Sequence, residues 1–167
     1  MKYPEKVIEH FRKPRNLGRI KDADAVGKAG NLVCGDVMYL YLKVRGNKKK
    51  KKVISDIKFE CFGCIVAIAV SSILTTMVKG KTLEEALKID KDKILKRIGG
   101  RLPPIKVHCS VLAADALHEA IYDYYKRNNL PIPKELEKRH EKIQKAMKEL
   151  EKRHKEFLKL QERMIGK

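Results

Sequence analysis

From Lys134 to Ile165 the chain contains neither glycine nor proline, and such an unbroken run with helical spacing leaves one regular structure open to it. Leu136, Ile143, Leu150, Phe157 and Met164 recur every seven residues, and His140, Met147, His154 and Gln161 stand four residues after the first four of these. The hexapeptide Glu-Leu-Glu-Lys-Arg-His occurs at 135 and again at 149, two heptads on. Glu135–Arg139, Glu141–Lys145, Glu149–Arg153 and Glu151–Lys155 put the acid four residues ahead of the base, the favoured order on a helix. The segment predicts one helix about 45 Å long at ~1.5 Å per residue. Its narrow apolar stripe suits packing on the rest of the chain or on a partner helix. Much of the second seam position is polar, which argues against a strong free-standing coiled coil. Pro131 and Pro133 mark the boundary, so the chain divides into a domain over 1–133 and a charged amphipathic helix over 134–167.

The whole chain, 167 residues, has the length of one domain and needs no disulfides to fold. It has no Trp and few aromatics, so its core is aliphatic. Lys and Arg outnumber Asp and Glu by 39 to 21, a net charge of +18; this attracts anionic partners and says nothing about fold. The start, Met1-Lys-Tyr-Pro-Glu-Lys-Val-Ile, has no apolar core like that of a secretory signal. The uncharged stretch from Cys61 to Val78 contains Ser71, Ser72, Thr75 and Thr76, too polar for a membrane span. A cytoplasmic chain off the membrane is expected, in which four cysteines serve as metal ligands or reactive thiols rather than disulfides.

Along residues 1–133, Tyr3–Lys13 reads as a helix with Val7, Ile8 and Phe11 on one face, started by Pro4 and stopped by Pro14. Residues 15–30 read as loop. Val37–Val44 and Val53–Phe62 are rich in β-formers, and the polar Gly46-Asn47 and Lys48–Lys52 between them make a hairpin. An apolar helix over 64–79 ends at Gly80. Thr82-Leu-Glu-Glu85 is a capping box opening a short helix, and Asp90–Ile98 is another, closed by Gly99-Gly100. Pro103-Pro104 hold Leu102–Val107 extended, and Ser110–Arg127 returns to helical period. His10 and His118 read as surface or packing residues. His140 and His154 share the tail's stripe, where metal binding between two tails is the sharper alternative to a solvated face.

Chemistry concentrates at the cysteines. Cys34 precedes the first clear strand, while Cys64 and Cys109 stand at helix starts, where the dipole favours a thiolate. Asp36 and His108 adjoin two of them and add oxygen and nitrogen donors, so three sulfurs and one harder ligand could close a tetrahedral site. Cys61 pairs with Cys64 as Cys-x-x-Cys, yet no second such pair exists for a zinc ribbon. Strand alternation puts Cys61 on the face of Phe59; it is either a spare thiol near the site or a structural residue packed beside Phe59, the second being the preferred reading.

Asn16-Leu-Gly18, Val33-Cys-Gly-Asp36, Phe62-Gly-Cys64, Lys79-Gly-Lys-Thr-Leu-Glu-Glu-Ala86 and Leu102-Pro-Pro-Ile-Lys-Val-His-Cys-Ser110 together resemble the IscU-type iron–sulfur cluster assembly scaffolds, the N-terminal domain of NifU. The resemblance runs in order over about residues 3–127. It implies an α+β fold: a small antiparallel sheet with helices packed on one face. It implies that Cys34, Cys64 and Cys109 ligate a nascent [2Fe–2S] cluster with Asp36 or His108 as fourth ligand, that Cys109 accepts the persulfide, and that Asp36 keeps the cluster labile. It further implies iron, a cysteine desulfurase as sulfur donor and apo iron–sulfur proteins as recipients. Leu102-Pro-Pro-Ile-Lys106 resembles the segment that binds a DnaK-class chaperone. The His108-Cys109 pair favours the IscU over the SufU type.

The chain departs from the family at Ile65 and Val66, where small residues are usual, at Cys61, in the Lys48–Lys52 run and in the helix after Pro133. The chemistry implied is that of a carrier, not a classical enzyme. The alternative is a structural zinc protein using the same Cys/Asp/His site, and zinc can also fill an apo scaffold. Homo-oligomerisation is compatible with the tail. Nucleic-acid binding ranks last, because no recognisable reading motif accompanies the charge.

Overall fold

The computed structural model describes residues 3–32, 34–46 and 51–164, with side chains through residue 159. Asn47–Lys50, most of the expected polar turn, lie outside the described residues. Helix α1 (Glu5–Arg12) is followed by β1 (Ala25–Gly30), β2 (Val37–Arg45) and β3 (Val53–Phe62), then α2 (Ile65–Val78), α3 (Leu83–Leu87), α4 (Lys91–Ile98), a 3-10 turn (Pro104–Lys106), α5 (His108–Arg127) and α6 (Lys134–Met164). The strands form one antiparallel sheet in the order β1-β2-β3. Helices α2 and α5 cover a single face of it, as expected of an α+β fold of this kind.

Alternation along β2 sets the two faces. Met38, Leu40 and Leu42 are buried with Ile57 and Phe59 of β3 in an aliphatic core. Tyr39 and Tyr41 face the other way, where Lys28 and Arg19 lie over their rings; such cations shield apolar surface with their stems. The free edge of β3 is closed by loops: Gly18 N–H donates to the Phe59 carbonyl at 2.8 Å and Ile54 N–H to the Lys81 carbonyl at 2.9 Å. Covered edges do not template aggregation.

The segment 15–30, expected as loop, contains β1. Ala25-Val-Gly-Lys-Ala-Gly has little strand propensity, because its small residues serve packing instead. A Cβ on Gly27 would lie 2.1 Å from the Ala116 carbonyl oxygen of α5, and one on Gly30 would lie 2.6 Å from Leu150 Cδ2 of α6. Two helices press onto this strand, and only glycine allows the approach.

Three smaller expectations are also corrected. Pro104 opens a 3-10 turn instead of continuing an extended segment, since its fixed φ suits a first turn. Helix α5 starts two residues early, at His108. On α1, Val7 and His10 are buried and Phe11 is 36% exposed, because His10 reaches inward to Ser72 Oγ at 2.8 Å. The Thr82/Glu85 capping box forms, and Asp90 caps α4. No helix among the described residues is long and apolar enough to cross a membrane.

The proximal half of α6 packs on the domain. Leu136, Ile143 and Met147 are buried in the common core, and α5 supplies a polar seam. Glu119, 6% exposed, accepts from His140 Nδ1 at 2.9 Å and Gln144 Nε2 at 2.7 Å. Tyr122 stacks on the His140 ring at 3.7 Å. Arg139 donates twice to Asp115 Oδ1, at 3.0 and 2.8 Å.

Candidate metal centre

Three chain segments meet at one end of the sheet. The β1–β2 loop carries Cys34 and Asp36 and turns through Gly35 at φ +73°, a conformation glycine adopts without strain. Phe62-Gly63 leads from β3 into Cys64, which stands at the N-cap of α2 with its side chain unused in capping. The 3-10 turn delivers His108 and Cys109 as the first two residues of α5. Side-chain atoms of Cys34, Asp36 and His108 lie within 4.8 Å of one another, and so do those of Asp36, Cys64 and Cys109. The Cys64 and Cys109 sulfurs are 3.9 Å apart. All five residues singled out in the sequence are therefore gathered, with Asp36 common to both sets.

Burial and unmet hydrogen bonding mark the site. Asp36 is 6% exposed. Asp36 Oδ2, His108 Nε2 and Ser110 Oγ are buried without partners among the described residues. Leaving a polar atom unpaired in this way costs roughly 1–3 kcal/mol. A soft-metal ion or cluster presented to these sulfur, nitrogen and oxygen donors would remove that cost.

Gly63 is a structural contributor that the sequence reading missed. A Cβ there would lie 2.8 Å from Asp36 Cγ, so the carboxylate occupies the space that a side chain would fill. The signal was the glycine inside Phe62-Gly63-Cys64. Lys106 is the second: its ammonium is held above its ordinary pKa first by the Cys64 sulfur, with a smaller contribution from Cys109. Read as the end of a chaperone-like segment, it also puts a cation beside two thiols.

The start of α5 does not lower the Cys109 thiol as a helix N-terminus would. Burial pushes Cys34 up to about 11 and pushes Cys109 up further. At Cys109 desolvation outweighs the helix dipole, so Cys34 and Cys109 are thiols at neutral pH and binding a metal releases protons. Cys34 is open to solvent on one side, its thiol only partly desolvated, whereas Cys109 is buried. Cys61 points inward beside the core, raised to about 12 mainly by burial, and stands in neither ligand set. Of the two bulky departures, Val66 is fully buried while Ile65 is 40% exposed beside Cys64.

The family described as NifU-like N terminal domain matches residues 2–131. The chain belongs to this family. An iron–sulfur cluster assembly scaffold protein IscU of Archaeoglobus fulgidus is 54% identical over 143 residues, covering 81% of this chain and 90% of that protein. The IscU scaffold of Aquifex aeolicus is 49% identical over 122 residues, covering 73% and 75%. Among solved structures, a putative SUF-system scaffold from Fervidobacterium islandicum aligns with a TM-score of 0.57 at 26% identity, covering 71% of this chain and 96% of that one. The NifU-like match ends just before α6 begins.

Proposed function

We propose that this NifU-like chain is a scaffold on which an iron–sulfur cluster is assembled and from which it passes to apo-proteins, acting as a carrier and not as a turnover catalyst. The observation that carries the reading is the convergence of Cys34, Asp36, Cys64, His108 and Cys109 on shared unpartnered space, in a chain about half identical to proteins named IscU scaffolds. Two ligand sets joined through Asp36 suit the two adjacent irons of a [2Fe–2S] cargo. Cys34 on one side and Cys64 with Cys109 on the other leave one position, which Asp36 or His108 can take. A carboxylate holds such a cluster less firmly than a further thiolate, which favours release.

Sulfur enters by exchange chemistry. The Cys109 thiolate attacks the outer sulfur of a cysteine desulfurase persulfide; the donor's S–S bond breaks, its cysteine leaves as thiolate, and Cys109 carries the new S–S bond. A reductant then supplies two electrons per sulfur to give sulfide. Lys106 favours the attacking thiolate, as a neighbouring cation does. Because Cys109 is buried, a donor reaches it only when its surroundings open. Recipient apo iron–sulfur proteins complete the cycle, in the reducing cytoplasm where free thiols persist. Ile105, 67% exposed, offers a DnaK-class chaperone an apolar grip within Leu102–Lys106.

Anaerobic reconstitution tests this. Iron(II), sulfide and thiol reductant, or a desulfurase with cysteine, should give a coloured species with [2Fe–2S] absorbance. Cys34→Ser, Cys64→Ser and Cys109→Ser should each destabilise it, and Asp36→Ala should prolong its life. Mass spectrometry after desulfurase treatment should find the added sulfur on Cys109. A colourless wild type, with Cys109→Ser indistinguishable from it, defeats the reading. A zinc-loaded protein that unfolds when chelated would mark a structural metal instead.

A further inference from the structure

Past Met147 the helix α6 runs beyond the core and overhangs the outer face of the sheet. A cleft of about 620 Å³ opens between them, floored by Val37, Tyr39 and Phe62 from the sheet and walled by Leu150 and Phe157 of α6. Phe62 is 72% exposed and Phe157 55% exposed. Phe157 keeps the heptad position that buries Leu136 and Ile143 further back, yet more than half of it stays open to solvent. Apolar surface held in register and left uncovered marks an interaction site.

The rim is cationic. Lys28, Arg153 and Lys155 line the cleft with His154, against one acid in the lining, Glu151. Lys28 and Arg153 make exposed pairs with Glu151 at 3.5 Å and Glu149 at 3.4 Å, weak enough for a partner's carboxylates to compete, and Lys155 has no ion pair among the described residues. The cleft also reaches Gly35, next to Cys34, and Phe62, two residues before Cys64. An occupant would therefore lie alongside the metal centre.

Charge selects among occupants. A second copy brings the same basic rim and the same net +18. A nucleic-acid strand satisfies the cations, but the aliphatic part of the lining, Val37, Met147 and Leu150, calls for an apolar side chain. We propose that this cleft docks an acidic segment of a protein partner, with an aromatic or long aliphatic side chain seated between Phe62 and Phe157 and carboxylates on Lys28, Arg153 and Lys155. That the partner works at the cysteine site rests on the scaffold reading; the docking does not.

The probe is a fluorescein-labelled synthetic peptide with Glu on one helical face and Leu and Phe on the other, titrated by anisotropy against the reduced full chain. Saturable binding that weakens with added salt is expected. Phe157→Ser and Lys155→Glu should each weaken it about tenfold, a loss typical of an anchor residue. Lys96→Glu, the same charge change on α4, should weaken it less than about twofold, as expected when only long-range screened attraction changes. The proposal is overturned if Phe157→Ser binds like wild type, if Lys96→Glu matches Lys155→Glu, or if a lysine version of the peptide binds equally well. It is also overturned if a uridine oligonucleotide binds more tightly through Phe157, or if sedimentation shows a Phe157-dependent dimer. Phe157→Ser should still assemble the cluster. Cluster formation without peptide binding defeats the docking alone, whereas peptide binding to a protein that stays colourless defeats the scaffold reading alone.

Discussion

Two buried carboxylates with a histidine for neighbour sit in this protein, and they are treated oppositely. Glu119 is enclosed by His140 and Gln144, with both ring and amide donating to it. Asp36 lies within 4.8 Å of His108, yet Asp36 Oδ2 and His108 Nε2 find no partner among the described residues. Burial pushes the Glu119 carboxyl up while His140 and Gln144 pull it back. The seam between α5 and α6 thus spends its polar atoms on holding a helix. The cysteine end keeps its polar atoms unspent, at a cost to stability, and that is how a binding site differs from a structural network with the same residue types.

The strongest way to break this contrast is to delete each carboxylate. Glu119→Ala leaves His140 and Gln144 facing a void and should cost about 2–3 kcal/mol in urea unfolding. Asp36→Ala in the metal-free protein should cost under about 0.5 kcal/mol or even stabilise, because it removes an unpaired group. Equal losses would erase the distinction. Next, Gly63→Ala forces a methyl into the space of Asp36 and should cost about 1–2 kcal/mol. It should also lengthen cluster lifetime in the manner of Asp36→Ala, read by the decay of visible absorbance.

Arg139→Met on the satisfied side loses the bonds to Asp115, worth about 1 kcal/mol. Hydrogen exchange should then quicken over α6 and leave α2 unchanged. The last effect is pH-dependent and belongs to the cysteine end. Below about pH 8.5 folded and unfolded thiols are both protonated. Above it the unfolded chain loses protons that the folded one keeps, since Cys34 is raised to about 11 and Cys109 is raised further. Stability of the metal-free protein should therefore fall as pH climbs towards about 11. Urea midpoints at neutral and alkaline pH check the sign, and Cys34→Ser should flatten the slope.

Much of this architecture was legible in the chain. The hairpin, the capping box and the long helix were written in spacings of two, three and seven residues. The five ligand candidates were readable from their residue types and from the family's motifs. Strand β1 was not legible, because Gly27 and Gly30 answer to helices that arrive about 90 and 120 residues later; propensity cannot register a distant neighbour. Gly63 and Lys106 escaped for the same reason, each having its effect on a side chain from elsewhere in the fold.

The tail helix shows where local rules stop. The sequence by itself determined that 134–164 is helical, since nothing in it breaks the period and four i,i+4 pairs put the acid first. Of the four ion pairs expected at i,i+4 spacing, Glu149–Arg153 forms, while Arg139 turns to Asp115 of α5 and Glu151 to Lys28 of β1. Helix formation is settled by contacts within a turn or two. The destination of each charge, the closeness of five ligands from three segments and the cleft under α6 depend on which surfaces meet. Only the packed tertiary structure decided those.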